Sequence, residues 1–127
     1  MIVRSVNKIK ELAASHEDKK NPGAYKKILY EKTDIPDSYS LQMVNWARIP
    51  VKKKFNPHYH QDMIEIFIIQ KGKAKITVNG EVRFLKAGDS IMVLQKEIHS
   101  MENVGLEDVE YLVIGFSKGE GGKTINV

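Results

Sequence analysis

The chain has 127 residues, 42% hydrophobic and 28% charged, with a net charge of +4 and no cysteine. That length and apolar content suit one domain with one core, and exclude a chain disordered by composition. Without cysteine there are no disulfides, thiolate metal sites or cysteine nucleophiles, so any metal must be held by His, Asp, Glu or backbone oxygen, and a cytoplasmic address is expected. Residues 1–54 carry 12 basic against 6 acidic side chains. The basic residues are mostly scattered lysines, the densest run is Lys52–Lys54, and no aromatic residues interleave with them. Nucleic-acid binding is therefore not expected. No apolar run approaches the ~20 residues that span a bilayer. The N-terminus lacks the apolar core and small residues of a signal peptide. No membrane partner is expected.

In chain order, Val6, Ile9, Leu12 and Ala13 recur at helical spacing after Ser5, a helix-capping residue type, and predict one short helix over 5–14. His16–Gly23 is polar and ends in Asn-Pro-Gly, which predicts a loop with His16 exposed. From Ala24 onward short apolar runs recur between turn residues: Ile28–Tyr30, Leu41–Ile49, Ile64–Ile69, Lys73–Val78, Val82–Leu85, Ser90–Leu94 and Val109–Phe116. That rhythm predicts an all-β sandwich or barrel. Asn79-Gly80 supplies the two positive-φ residues of a type I′ hairpin, and Lys86-Ala-Gly88-Asp89 marks a second turn. The expected organisation is an N-terminal helix and loop (1–23), a β-domain (24–116) and a Gly-rich tail (117–127) that is flexible or bound to a sheet edge. Gly119-Glu-Gly-Gly-Lys123-Thr124 looks like the end of a phosphate loop. The leading glycine of that pattern falls on Ser117, however, and only three residues follow Thr124 where a helix is required.

The chemistry concentrates in the histidines. His58 and His60 flank Tyr59. In a strand, residues i and i+2 share a face at roughly 7 Å, close enough for two imidazoles to lean onto one metal ion. Glu65 sits among isoleucines, where a carboxylate needs a partner, and a divalent cation is one. His99 lies in a loop entering the last strands.

His58-Tyr-His60, four residues, Glu65, six residues and Gly72 resemble the first motif of the cupin family. Gly88, ten residues, His99, three residues and Asn103 resemble its second motif. The resemblance covers about residues 40–116, with the Asn79-Gly80 hairpin between the motifs. It implies a cupin-type double-stranded β-helix, or jelly-roll barrel, with His58, His60, Glu65 and His99 as metal ligands. Two departures concern turn-shaping residues. Lys52 stands where the first motif has glycine, and Leu94 and Lys96 stand where the second has proline and glycine.

Three imidazoles and one carboxylate suit a single divalent ion (Fe, Mn, Ni, Cu or Zn) and leave open coordination positions. The expected function is that of a small metalloenzyme, of dioxygenase or isomerase type, acting on a small polar molecule. The alternative is a module that binds a sugar or small acid without converting it. Strand phase directs Phe67, Ile76, Phe84 and Met92 toward the site, with Met43, Trp46 and Met101 also in reach, although ordinary core packing is the commoner role for residues of each kind. Gln42, Arg48, Tyr111 and Asp62 are the polar residues placed near the barrel mouth. A homodimer is expected from the resemblance, with the run Tyr25–Tyr30 adding to a neighbour's sheet edge.

Overall fold

The computed structural model describes residues 2, 4, 6–36, 38–119 and 122–127. Its strands are β1 (Leu12–Ala13), β2 (Tyr25–Glu31), β3 (Leu41–Ile49), β4 (His58–His60), β5 (Met63–Lys71), β6 (Lys73–Val78), β7 (Glu81–Lys86), β8 (Ser90–Val93), β9 (His99–Asn103), β10 (Val109–Ser117) and β11 (Thr124–Asn126). They form two antiparallel sheets, one ordered β1-β2-β3-β10-β5-β8 and the other β11-β4-β9-β6-β7. Among the described residues no helix is long and apolar enough to cross a membrane.

The alternation read from the sequence is the alternation of the fold. In β5 and β10 every second residue is buried along most of the strand. Glu65, Phe67 and Ile69 point inward from β5, and Tyr111 and Val113 from β10. Ile49, Phe55, Ile76, Met101 and Val109 complete the layer between the sheets. Fully burying such a side chain contributes about 1.5–3 kcal/mol, so this layer is what holds the two sheets face to face.

The N-terminal segment departs from the expected helix. It forms a 3-10 turn at Val6–Lys8 and then β1, which pairs Leu12 with Lys26 and Ala13 with Tyr25. The Ser5 cap falls outside the described residues. An isolated helix of this length is marginal in water, whereas the open edge of β2 offers unpaired backbone groups to the same residues. Arg4 also donates to the Leu29 carbonyl, and Lys27 to that of Val6. The first two residues of the edge expected to receive a second copy, Tyr25 and Lys26, are thus paired with the chain's own N-terminal segment. Of the two states expected for the tail, its last residues take the edge-bound one. Thr124–Asn126 pairs with His58–His60 as an edge strand, and the Asp62 carboxylate accepts from the backbone amides of Gly119 and Gly122.

Register corrects two inward assignments. The Asn79-Gly80 turn has φ of 48° and 84°, and its two-residue loop places Ile76 opposite Arg83 and Ala74 opposite Leu85. Phe84 therefore shares a face with Lys75 and is 71% exposed, while Leu85 packs on the core. Met92 is paired with Ile66 and is 56% exposed, and its neighbours Ile91 and Val93 face inward. Alternation separates two faces of a strand. On the edge strands β7 and β8, only the neighbouring strand decides which face is the inner one.

Both departures from the family pattern fall on strained backbone. Lys52 and Lys96 each adopt φ 66°. Each is the third residue of a turn, closed by Lys53 N–H to Pro50 O at 3.1 Å and by Glu97 N–H to Leu94 O at 3.2 Å. That turn position favours glycine, and a left-handed residue with a Cβ costs about 1–2 kcal/mol. Two motif residues that are retained have clear duties. Gly72 has φ 89°, and a Cβ there would sit 2.7 Å from the Asp108 carbonyl. The buried Asn103 carboxamide donates to the carbonyls of Ile49 (3.0 Å) and Glu107 (2.8 Å) and accepts from the Gly105 amide.

Two stability predictions follow from these turns. Lys96→Gly should raise the melting temperature, with a net gain of up to about 1 kcal/mol after the extra chain entropy of glycine is subtracted. Asn103→Ala should lose about 2–3 kcal/mol in urea unfolding, because it strands the buried Ile49 carbonyl and removes the bonds to Glu107 and Gly105.

Candidate metal centre

Two strands from one sheet and one from the other converge on a single point. His58 and His60 project from the same face of β4, and β9 pairs with β4 at His58–His99. Glu65 faces them from β5 in the opposite sheet. All four residues are buried, and one ligand atom from each lies within 4.8 Å of the others.

The three imidazoles are oriented by backbone. Nδ1 of His58 lies 2.7 Å from the Asn56 carbonyl, and Nδ1 of His99 lies 2.9 Å from the Glu97 carbonyl. Nδ1 of His60 lies 3.3 Å from the Gly122 carbonyl and 3.1 Å from Thr124 Oγ1. A carbonyl only accepts, so each Nδ1 carries the proton and each Nε2 presents a lone pair to the centre. There Nε2 of His60 and of His99 stand 2.8 and 3.2 Å from the same Glu65 oxygen. All three atoms are buried without a hydrogen-bond partner. Lone pairs facing a carboxylate at that distance repel unless positive charge lies between them. Protons would fill the gap only by making buried imidazolium cations, which are costly among other imidazoles; at the adjoining His58, burial and the neighbouring His16 and His99 rings lower the pKa to about 3. Burial pushes the Glu65 carboxyl up, and only positive charge or a donor at the His60 and His99 nitrogens holds it below the usual carboxylate range. The donor set therefore fits one divalent ion, with three neutral nitrogens and one anionic oxygen.

The cluster opens into a cavity of about 240 Å³. Of the residues predicted to surround it, Met43 and Phe67 line it. Ile76 and Met101 are buried in the core and do not line it. Trp46 faces outward, its indole N–H donating to Glu110. Phe84 and Met92 lie outside, as described. Among the polar candidates Gln42 and Tyr111 line the cavity. Burial, with the negative charges of Glu65 and Glu17, raises the Tyr111 phenol and keeps it neutral. Arg48 is tied to Glu11 and Asp108 at the surface, and Asp62 anchors the tail.

His16 is not the exposed loop residue expected. Its ring stacks on His58, with centroids 4.1 Å apart and planes at 18°. Its Nδ1 lies 2.7 Å from Glu17 Oε2. The Glu17 side chain is only 2% exposed and also accepts from the amides of Gly23 and Asn56. Burial would raise this carboxyl, but those donors together hold it below its usual range. Glu17 thus fastens residues 16–23 to the segment that carries the Asn56 carbonyl, the partner of His58. Lys26, Asn45, Gly122 and Thr124 also reach the cavity without having been singled out in the sequence. For the tail residues no local signal exists, because their role depends on β11 pairing with β4.

Comparison with known proteins agrees with this geometry. The chain is 35% identical over 78 residues to an oxalate-binding protein of Thermotoga maritima, covering 57% of this chain and 64% of that protein. It is 34% identical over 61 residues to the pectin degradation protein KdgF of Dickeya dadantii, covering 48% of this chain and 54% of that one. It therefore spans roughly half to two thirds of the length of these curated relatives. Among solved structures, a predicted oxalate decarboxylase from Thermotoga maritima superposes with a TM-score of 0.80 at 26% identity, covering 93% of this chain and all of that one. Residues 45–115 match the family described as the cupin domain, and since that stretch holds both histidine motifs and most of the two sheets, the chain belongs to the cupin family.

Proposed function

We propose that this cupin binds one divalent metal ion through His58, His60, Glu65 and His99, and uses it to act on a small polar molecule held in the adjoining cavity. The observation that carries this reading is the convergence of two unprotonated Nε2 atoms on a buried carboxylate oxygen with no donor between them. Such an ion would supply Lewis acidity toward a carbonyl or hydroxyl oxygen, or redox chemistry if it is iron or another redox-active metal. The chain's own residues do the rest. Backbone carbonyls hold the three rings in the binding tautomer. Phe55, Phe67 and Val113 give the cavity an apolar lining that excludes water. Tyr111 offers a neutral phenol, and His16, steered by Glu17, is the remaining imidazole at the cavity wall. Together these favour an enzyme of dioxygenase or isomerase type. A second reading, binding without conversion, is supported by the relative named as an oxalate-binding protein.

Elemental analysis of freshly purified protein should find close to one metal ion per chain. His60→Ala should weaken metal binding by more than about 100-fold while circular dichroism still shows the β-fold. A full metal complement in that variant would refute the ligand assignment. Recovery of a bound compound chemically unchanged after prolonged incubation with metal-loaded protein would favour the binding reading over the enzyme.

Acid should strip the metal. Neutral imidazoles are required, so content after dialysis should fall below about pH 6.5, where free histidine titrates. The metal-free protein should also lose stability over that range. In the unfolded chain His58 takes up a proton near pH 6.5, whereas the folded site resists it down to about 3. The unfolded state therefore binds more protons, and the melting temperature of chelator-treated protein should decline as pH falls from 6.5 toward 3.

A further inference from the structure

The three histidines come from one sheet, and the facing sheet, which also carries Glu65, presents two polar groups to the cavity that the proposed function leaves unused. Lys26 on β2 is in register with Ala47 on β3, and Asn45 lies two residues before Ala47. Such diagonal neighbours on one sheet face lie roughly 7–8 Å apart, and both side chains line the cavity.

Asn45 is only 7% exposed, and its Oδ1 is buried with no donor. A buried carboxamide oxygen without a partner costs about 1–3 kcal/mol. The residue facing it across the strands on one side is Ile28 and on the other Val113, neither of which has a polar side chain. Lys26 is half-buried, and its ammonium has one acceptor, Ser15 Oγ at 2.5 Å. No ion pair among the described residues includes it. The nearby carboxylates are otherwise engaged. Glu17 holds three donors, and Glu65 faces the imidazoles. Glu31 also lines the cavity, from the far end of β2. Burial lowers the Lys26 pKa, consistent with an ammonium short of counter-charge.

We propose that this wall recognises a small hydroxylated carboxylate, with the Lys26 ammonium taking the carboxylate and Asn45 Oδ1 accepting a hydrogen bond from a hydroxyl group. The inference rests on the metal-site reading, because the ligand's remaining oxygens face His58, His60 and Glu65. With no arginine beside it, the single ammonium suits one carboxylate group of the ligand, and any second acid group would face the metal site. A cavity of about 240 Å³ lies below the range for drug-sized ligands, so the molecule is small.

The test uses thermal shift and calorimetry on the purified protein, with metal content measured on every sample. The probes are malate against succinate, galacturonate against galactose, and oxalate, which has no hydroxyl. Malate or galacturonate should raise the melting temperature, while succinate and galactose should bind at least tenfold more weakly. Lys26→Met should weaken the bound acid by tenfold or more without altering metal content. Asn45→Leu should bring malate down to the level of succinate. The two substitutions act independently, so a folding defect in one leaves the other informative. If neither hydroxy acid binds, if galactose matches galacturonate, if oxalate alone binds, or if both variants retain wild-type affinity, the inference is overturned. Absence of metal from all samples would instead overturn the function proposed above.

Discussion

The Nδ1 atoms of His58, His60 and His99 are all turned away from the site and held by backbone carbonyls, and this constraint organises the rest of the structure. It fixes three lone pairs on one centre and leaves them facing a buried carboxylate. An arrangement of that kind is unfavourable by itself, since each atom has lost water and gained no donor. It persists because the surrounding sheets over-determine it. The β4–β9 pairing at His58 and His99 sets one side, and the β5–β10 ladder sets the depth of Glu65 on the other. These unfavourable local electrostatics are the observation on which the proposed metal site rests.

The ends of the chain finish what the barrel begins. β11 brings Gly122 and Thr124 to His60, so the tail orients one of the clustered imidazoles. The N-terminal segment packs His16 on His58 and buries Glu17 among three donors. Both ends reach the site by covering strand edges, β1 on β2 and β11 on β4. Edge covering removes unpaired backbone groups, and here it also encloses the cavity. One physical device thus serves both folding and the site.

Much of this was legible before any coordinates. The alternation in β5, β6 and β10 and the Asn79-Gly80 turn are local features, and local features survive into the fold because side-chain period and turn dihedrals are set by neighbouring residues. The four clustered residues were legible because His58 and His60 share a strand face, and because the spacing to Glu65 and His99 matches two motifs. The errors have a common origin. Phe84 and Met92 were placed inside because each sits in an alternating strand, yet the inner face of an edge strand is decided by its partner. For Phe84 the turn itself contained the answer, since a two-residue loop after Val78 pairs Ile76 with Arg83. The helix expected over residues 5–14 rested on apolar spacing and a capping residue type, local signals that are weak in so short a segment, and β1 pairs part of it with β2 instead.

The sequence by itself determined the β class, the hairpin, the family and the identity of the four convergent side chains, because each depends on spacing along the chain. Only the tertiary structure decided which way the imidazole protons point, that His16 belongs to the cavity wall, that Lys26 and Asn45 share a face opposite the histidines, and that the tail supports His60. Each of those depends on a contact between residues far apart in the chain. Such contacts are set by sheet order and register, which no local pattern encodes.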